Sequence, residues 1–542
     1  MAIFLAFLAL LATLAAGWRA ARRMRFFLHI FQLETYKLDR YIDWLGGHGS
    51  LLVRPSHAVA AVVWAGAVAG FAFAPSPWVA ALLLVGWTGA FISSRAYRSD
   101  QEKKPLSFTA RMTRLAGSVA VLALLPVGLG AWLGMQTGTA SGVLWYLLGW
   151  FFADLGAPLW VMAGAALMQP VENAIHEGFK RQARARLNER ADLTVIGITG
   201  SYGKTSTKFI LAELLRQKYN VLETPSSYNT PMGICIAVNE KLRPEHQVLV
   251  LEMGMRYRGD IEELCRIAPP DISVVTTVGV AHLDTMGSIE NIAREKGDIL
   301  EYMQADGSAV LNVDNEHVAG MVERAPGPVW RVSVQGHEDG DVTARCIEYD
   351  TRGTAFTVRD DTGEEARFQT QLLGVHNVLN TLLAVAVGRA MGLRLRAMAH
   401  AAARIEPIEH RLALRQEGPI TIIDDAFNSN PVGARNAVEI LASMNEGRRV
   451  IVTPGMVELG ERQHEENKAL GRHIAEHDLD LAVLVGREQT RPIQEGLHEA
   501  AFPSDRMEVV DTLFDAQEFL NRYLEPGDIV LYENDLPDQY DV

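Results

Sequence analysis

The run Thr199-Gly200-Ser201-Tyr202-Gly203-Lys204-Thr205-Ser206 holds the residues whose types and order most directly suggest chemistry. An apolar stretch at 193–198 precedes it, and a helix-forming stretch at 207–218 follows. Strand, glycine loop, Lys-Thr and helix, in that order, cradle phosphates. Glycines let backbone N–H groups turn toward an anion, and the helix N-terminus adds favourable partial charge. Lys204 is long enough to reach the β- and γ-phosphates of a nucleoside triphosphate, and the Thr205 hydroxyl suits Mg²⁺. The loop departs from the pattern G-x-x-x-x-G-K-[ST] at one place, where Ile198 replaces the first glycine. Its setting between a buried strand and a helix still predicts a nucleotide loop.

Further along, Glu252 follows a strand-like run at 247–251, and an apolar run at 273–278 leads into Ala281-His282-Leu283-Asp284. Lys296 lies fourteen residues after His282. A glutamate after a strand is usually a solvated turn residue, and a single histidine is usually structural. Beside a phosphate loop they acquire a purpose. Phosphoryl transfer to a carboxylate gathers negative charge, so catalysis is mainly positioning and charge neutralisation. Thr205 and Glu252 offer hard oxygen donors to Mg²⁺.

The shortened loop Thr-Gly-x-x-Gly-Lys-Thr, Leu251-Glu252-Met253-Gly254, the His282–Lys296 spacing and Gly455-Met456-Val457-Glu458-Leu459-Gly460 together resemble the Mur ligase family. Within it, the chain is most similar to the branch that adds D-alanyl-D-alanine to a muramoyl tripeptide. The resemblance spans about residues 193–533. It implies an ATP-dependent amide ligase that works through an acyl-phosphate and releases ADP. It assigns Gly200, Ser201, Gly203, Lys204, Thr205 and Ser206 to the nucleotide phosphates, and Asn312, Asn377 and Asn380 to the surroundings of adenine and ribose. Arg411 would meet a phosphate and Asp425 the ribose or the interdomain hinge. Lys204, Glu252, His282 and Lys296 form the implied catalytic set. Two Mg²⁺ ions are implied, one on Thr205 and Glu252, the other on His282 and a carbamylated Lys296. Two departures bear on substrate. The Lys-Gly-Ser segment near the end of that branch is replaced by Glu533-Asn534-Asp535-Leu536-Pro537-Asp538-Gln539-Tyr540, and an apolar segment stands where the uridine-nucleotide domain belongs.

The elements that must position these residues read as an α/β fold. A Mur ligase-type P-loop domain at 193–405 leads to a Rossmann-like domain at 406–542, with strands near 420–423, 449–453, 481–485 and 528–532 separated by helices. Ahead of them, 1–175 reads as an all-α transmembrane module and 176–192 as a basic juxtamembrane linker. Residues 1–190 carry 18 Lys and Arg against 9 Asp and Glu; the remainder carries 33 against 56. A basic apolar third joined to an acidic remainder fits a membrane module feeding a cytoplasmic enzyme, and it argues against nucleic acid as a partner. Five helices are expected, near 1–18, 58–74, 78–94, 116–135 and 143–168, with cations in the inner loops and the N-terminus outside. This makes the protein a multi-pass protein of the cytoplasmic membrane. Asp154 interrupts the fifth run and reads first as a helix break or hydrogen-bond staple, with a substrate role second. Cys235, Cys265 and Cys346 are too scattered for a zinc ribbon or disulfide framework and read as buried residues. The implied partners are a small-molecule or lipid-linked cell-wall-type carboxylate and an amine acceptor. A polyglutamate-type membrane ligase and an ATP-binding scaffold with a relict ligase fold are the competing readings.

Overall fold

Successive strand residues of the middle region bury on opposite sides. Ile196, Ile198, Val250 and Val274 enter one hydrophobic cluster, while Val195, Leu249, Leu251 and Val275 enter another. A strand apolar on both faces requires cover on both, which a parallel sheet between helical layers supplies. The computed structural model describes residues 2–534 apart from 74–76, 93–105, 138, 226–227, 338–339, 351, 407–411, 426–430, 445–446, 458 and 460–461. It divides into two units, Met1–Gly178 and Phe179–Val542.

In the second unit the middle sheet comprises β1 (Thr194–Thr199), β2 (Val221–Glu223), β3 (Val248–Glu252), β4 (Ile272–Val275), β5 (Ser308–Asn312), β6 (Val329–Ser333), β7 (Val342–Asp350), β8 (Gly353–Arg359) and β9 (Glu365–Thr370). Their order is β2-β3-β1-β4-β5-β6-β7-β8-β9, parallel as far as β7 and antiparallel beyond. Strand β1 lies between β3 and β4, with Ile198 paired to Glu252 and Thr199 to Val275. The loops leaving these three strands therefore emerge together at the carboxyl edge, where open α/β sheets bind ligands. The helix after the glycine loop is Lys204–Leu215, starting three residues earlier than the sequence suggested. Gly203 takes the left-handed conformation that breaks the chain there, so helical geometry begins at Lys204.

The second sheet holds β10 (Ala413–Glu417), β11 (Ile420–Asp425), β12 (Arg449–Thr453), β13 (Leu481–Val485), β14 (Met507–Val510) and β15 (Ile529–Glu533). Its order is β10-β11-β15-β12-β13-β14, parallel except for the β10–β11 hairpin. All four strands expected in this region are present. Cys235 and Cys265 are buried, but Cys346 is exposed, at an irregularity in the β7–β8 pairing.

The first unit is helical and differs from expectation in three ways. The first helix, Ala2–Leu33, does not stop at residue 18. Arg19 and Arg23 continue it in buried positions: the Arg19 Nε donates to Asp154 Oδ2 at 2.9 Å and an Arg23 terminal nitrogen donates to the Leu52 carbonyl at 2.5 Å. The expected span at 143–168 is two helices, Thr139–Leu155 and a second beginning at Ala157, bent by 71°. Pro158 sits in the first turn of the second, where its missing N–H costs nothing. That helix runs to Asn188, so most of the expected linker at 176–192 is helical. Its last turns dock on the middle domain, with Lys180 Nζ 2.6 Å from Glu263 and Arg184 and Arg186 donating to the Arg266 and Leu242 carbonyls. By length and composition, two described helices could cross a membrane, Ile3–Leu33 and Ala110–Thr137; the bent pair adds a third if it counts as one span. Helices Ala110–Thr137 and Thr139–Leu155 approach closely, since a Cβ on Gly134 would stand 2.7 Å from the Gly142 carbonyl oxygen.

Candidate active site

Gly203 is where the loop's backbone need is plainest: its φ is +80°, and an added Cβ would stand 2.5 Å from Asn380 Oδ1. The loop is laced to the segment after β4. Ser201 N–H donates to the Thr277 carbonyl at 2.7 Å, Gly279 N–H donates to Ser201 Oγ at 2.9 Å, and the Thr276 hydroxyl donates to the Tyr202 carbonyl at 2.5 Å. Lys204 folds back over this loop, its Nζ donating to the Gly200 carbonyl at 2.7 Å. Ser206 lies half-buried in the first turn of the helix.

Glu252 ends β3 beside this turn. Its Oε2 accepts from the Thr205 hydroxyl at 2.9 Å and its Oε1 from Asn229 Nδ2 at 3.2 Å. Behind it, the fully buried Lys208 ammonium lies 3.6 Å from Oε2. The Thr205 and Glu252 oxygens form a hard donor set, anchored by Asn229 and Lys208, that fits a nucleotide-bound Mg²⁺. Lys296, on helix Ile289–Glu301, is 1% exposed. Burial and the nearby Lys204 charge pull its pKa down to about 7, against the opposing pull of Glu295. Glu295 itself accepts from the Gly259 and Ile261 N–H groups at 2.9 and 3.0 Å, joining this helix to the chain after β3. His282 lies exposed on the loop following β4, with φ +67°. A left-handed non-glycine residue costs about 1–2 kcal/mol, strain that concentrates at functional sites.

Asn377 and Asn380 are buried on helix Val375–Ala390. Asn380 Oδ1 accepts from the Thr207 hydroxyl at 3.1 Å, its Nδ2 donates to Asn377 Oδ1 at 3.3 Å, and Asn377 Nδ2 donates to the Leu373 carbonyl at 2.8 Å. The pair thus fastens this helix to the phosphate-loop helix. Asn312, buried at the end of β5, accepts from Asp314 N–H at 3.1 Å. In the C-terminal domain, Asp425 ends β11 and accepts from Leu412 N–H at 3.1 Å. Arg411 lies outside the described residues. Paired with Asp425 across the sheet, Glu533 is buried: its Oε2 accepts from the Thr453 hydroxyl at 2.8 Å, and Asn534 Nδ2 donates to the Gly455 carbonyl at 2.7 Å. Residues 535–540 of that segment lie outside the described residues.

Sequence reasoning missed Asn229, Lys208 and Glu295. Asn229 stands two residues before Pro231 and reads as a turn residue, and Lys208 and Glu295 read as solvated helix positions. Only the Asn229-Thr230-Pro231 cluster carried a local signal, and it pointed to a helix start.

A glycine loop leading into Lys204 and Thr205, a carboxylate anchored beside that threonine and a buried low-pKa lysine suit a nucleotide-dependent ligase centre. Consistent with this, the Mur ligase middle domain family matches residues 198–388, and the family described as Mur ligase, glutamate ligase domain matches residues 410–532. The chain belongs to the Mur ligase family of ATP-dependent, ADP-forming ligases. More particularly, it is 33% identical to the UDP-N-acetylmuramoyl-tripeptide–D-alanyl-D-alanine ligase of Mycobacterium leprae, over 82% of this chain and 88% of that protein. It is 29% identical to the enzyme of that name from Bacillus subtilis, over 65% and 75%. Among solved structures, MurF from Acinetobacter baumannii superposes with a TM-score of 0.59 at 29% identity, covering 66% of this chain and 77% of that one. MurF ligase from Thermotoga maritima in complex with ADP gives 0.58 at 27% identity, covering 66% and 80%.

Proposed function

We propose that this chain joins the amine of D-alanyl-D-alanine to a carboxylate of a muramoyl-tripeptide-type cell-wall precursor at the cytoplasmic face of a membrane. The convergence of Lys204, Thr205, Glu252 and the low-pKa Lys296 carries this reading. The substrate carboxylate attacks the γ-phosphorus of ATP, forming the acyl-phosphate and releasing ADP. The acceptor amine then attacks the acyl carbon, phosphate leaves, and the amine gives up a proton. Backbone N–H groups of the loop other than Ser201, whose N–H is held by the Thr277 carbonyl, would bind and orient the phosphates together with the Lys204 ammonium. Thr205 and Glu252 would hold one Mg²⁺; His282 and Lys296, as its carbamate, would hold a second. Such ions would supply charge neutralisation at the transferring phosphoryl group. A lysine with a pKa near 7 is partly neutral at physiological pH, and only the neutral amine reacts with CO₂ to form a carbamate. Asn312, Asn377 and Asn380 would border the adenosine, while Arg411 and Asp425 would approach it from the C-terminal domain.

Membrane attachment is supported by helices Ile3–Leu33 and Ala110–Thr137. A role for the helical unit in seating a lipid-linked precursor is supported by a cavity of about 340 Å³ whose lining includes Tyr36, Lys37, Arg111, Gln169, Asn173 and His176. The proposed organisation is thus a helical membrane module, an ATP-binding domain from about residue 193 and a C-terminal domain from about residue 406. The test is ADP release by full-length protein in detergent with Mg²⁺, ATP and bicarbonate. The carboxylate substrates would be UDP-muramoyl-tripeptide, its lipid-linked counterpart and polyglutamate, each with D-alanyl-D-alanine or glutamate as the amine. Turnover with a muramoyl tripeptide and D-alanyl-D-alanine supports the proposal. Turnover only with glutamyl substrates, or ATP binding with no turnover, overturns it.

A further inference from the structure

Away from the ligase site, the described residues include a cluster of metal-ligating side chains in the C-terminal domain. Glu439 lies on helix Pro431–Ser443, His473 on helix Gln463–Glu476, and His477 at that helix's C-terminal cap. Their ligand atoms all lie within 4.8 Å of one another. Spacing of four residues puts the two imidazoles on one helix face, with ring centroids 4.3 Å apart. Glu439 approaches from the neighbouring helix, its Oε1 3.5 Å from His473 Nε2.

The orientation of the rings suits a cation. His477 Nδ1 lies 2.9 Å from the His473 carbonyl. A carbonyl only accepts, so Nδ1 carries the proton and Nε2 keeps a lone pair, the arrangement that backbone carbonyls impose on metal-ligating histidines. His473 Nε2 is buried and makes no hydrogen bond among the described residues. Ligation would give this nitrogen a partner of good geometry. The groups facing His473 are Glu439, Glu476, His477 and the Arg435 backbone; burial and His477 favour its neutral, ligating form.

We infer that Glu439, His473 and His477 form a binding site for a borderline transition-metal dication, Zn²⁺ foremost, with a fourth position left to water. Two imidazoles and one carboxylate suit Zn²⁺ and its neighbours, whereas Mg²⁺ and Ca²⁺ prefer all-oxygen sets. Bonds of about 2.0 Å place tetrahedral ligand atoms about 3.3 Å apart, so the site must contract slightly on binding. The exposed Glu439 side chain is free to swing inward by that amount. The ion would clamp two helices of the C-terminal domain. Tyr349 of β7 packs against the same C-terminal core as Val438, Ile440 and Ile474, the neighbours of the cluster, and the Glu439 charge adds to burial in raising its phenol pKa. The clamp therefore sits at the seam between the ATP-binding domain and the C-terminal domain.

The test is a Co²⁺ titration of the full-length protein in detergent, with saturating Mg²⁺ and ADP covering the ligase site. Visible absorption reads the bound ion, and the Zn²⁺-induced rise in melting temperature gives an independent readout. Wild type should bind one such ion per chain. His473→Gln/His477→Gln should lose both signals while still binding ATP, and Glu439→Gln should lower the affinity by more than about tenfold. His464→Gln, on the same helix but paired with Glu495, should leave both signals unchanged. The inference is overturned if the double variant keeps the wild-type spectrum and stoichiometry. It is equally overturned if the wild-type signal disappears in His282→Asn, which would place the ion in the ligase site.

Discussion

Replacing Lys296 by Met should abolish turnover and, at neutral pH, stabilise the protein. In the native state the ammonium pKa falls from 10.5 to about 7, chiefly through burial and then through the Lys204 charge. At about 1.4 kcal/mol per unit, holding this group inside costs at most roughly 4 kcal/mol near pH 7. Local relaxation and the Glu295 charge reduce the expected gain on removal to roughly 2–3 kcal/mol, or about 4–8 °C in melting temperature. The pH dependence follows from the direction of the shift. Unfolded chain keeps the Lys296 proton up to about pH 10.5, whereas native protein sheds it above about pH 7. Within that window the unfolded state binds more protons, so wild-type stability from this group rises with pH. The advantage of Lys296→Met should be greatest below pH 7 and vanish toward pH 10.5. Thermal unfolding of full-length protein from pH 6 to 10, in CO₂-free buffer so that the amine stays unmodified, measures it. An advantage that stays constant across the window, or a variant less stable throughout, would refute the assignment of a buried, charge-penalised amine. Bicarbonate should raise wild-type ADP release and leave the variant inactive.

Gly203→Ala forces a Cβ into the left-handed region and against Asn380 Oδ1. It should cost about 1–2 kcal/mol and lower ATP affinity, read by calorimetric titration; unchanged ATP binding would count against the loop geometry. Asn229→Ala removes the donor that orients Glu252 Oε1, and the Mg²⁺ concentration for half-maximal ADP release should rise roughly 10–100-fold with a smaller effect on protein stability. Asp154→Asn strips the carboxylate from buried Arg19 and His57, 2.9 and 2.8 Å away. It should destabilise the helical unit by about 3–5 kcal/mol in detergent while ATP binding persists; loss of ATP binding at full stability would contradict a staple role.

The phosphate loop, the alternating apolar strands around it and Glu252 at the end of β3 were legible in the sequence, because local backbone need and period-two burial write themselves into neighbouring residues. So was the C-terminal sheet, whose four expected strands are all found. Interactions between distant segments were not legible. Arg19 and Arg23 look like the end of a membrane helix until Asp154, 135 residues beyond Arg19, supplies the one with a buried partner and the Leu52 carbonyl accepts from the other. Lys208 and Glu295 look like solvated charges, yet one braces Glu252 and the other holds the chain after β3. The hydrogen bonds by which Asn377 and Asn380 tie two helices together, and the buried network that holds Glu533, likewise join segments far apart in the chain. Residue type and spacing determined which groups could perform phosphoryl transfer. Only the tertiary structure decided which charges are buried, and therefore which carboxylate is braced and which lysine gives up its proton near pH 7, because desolvation and charge pairing depend on neighbours brought together by folding.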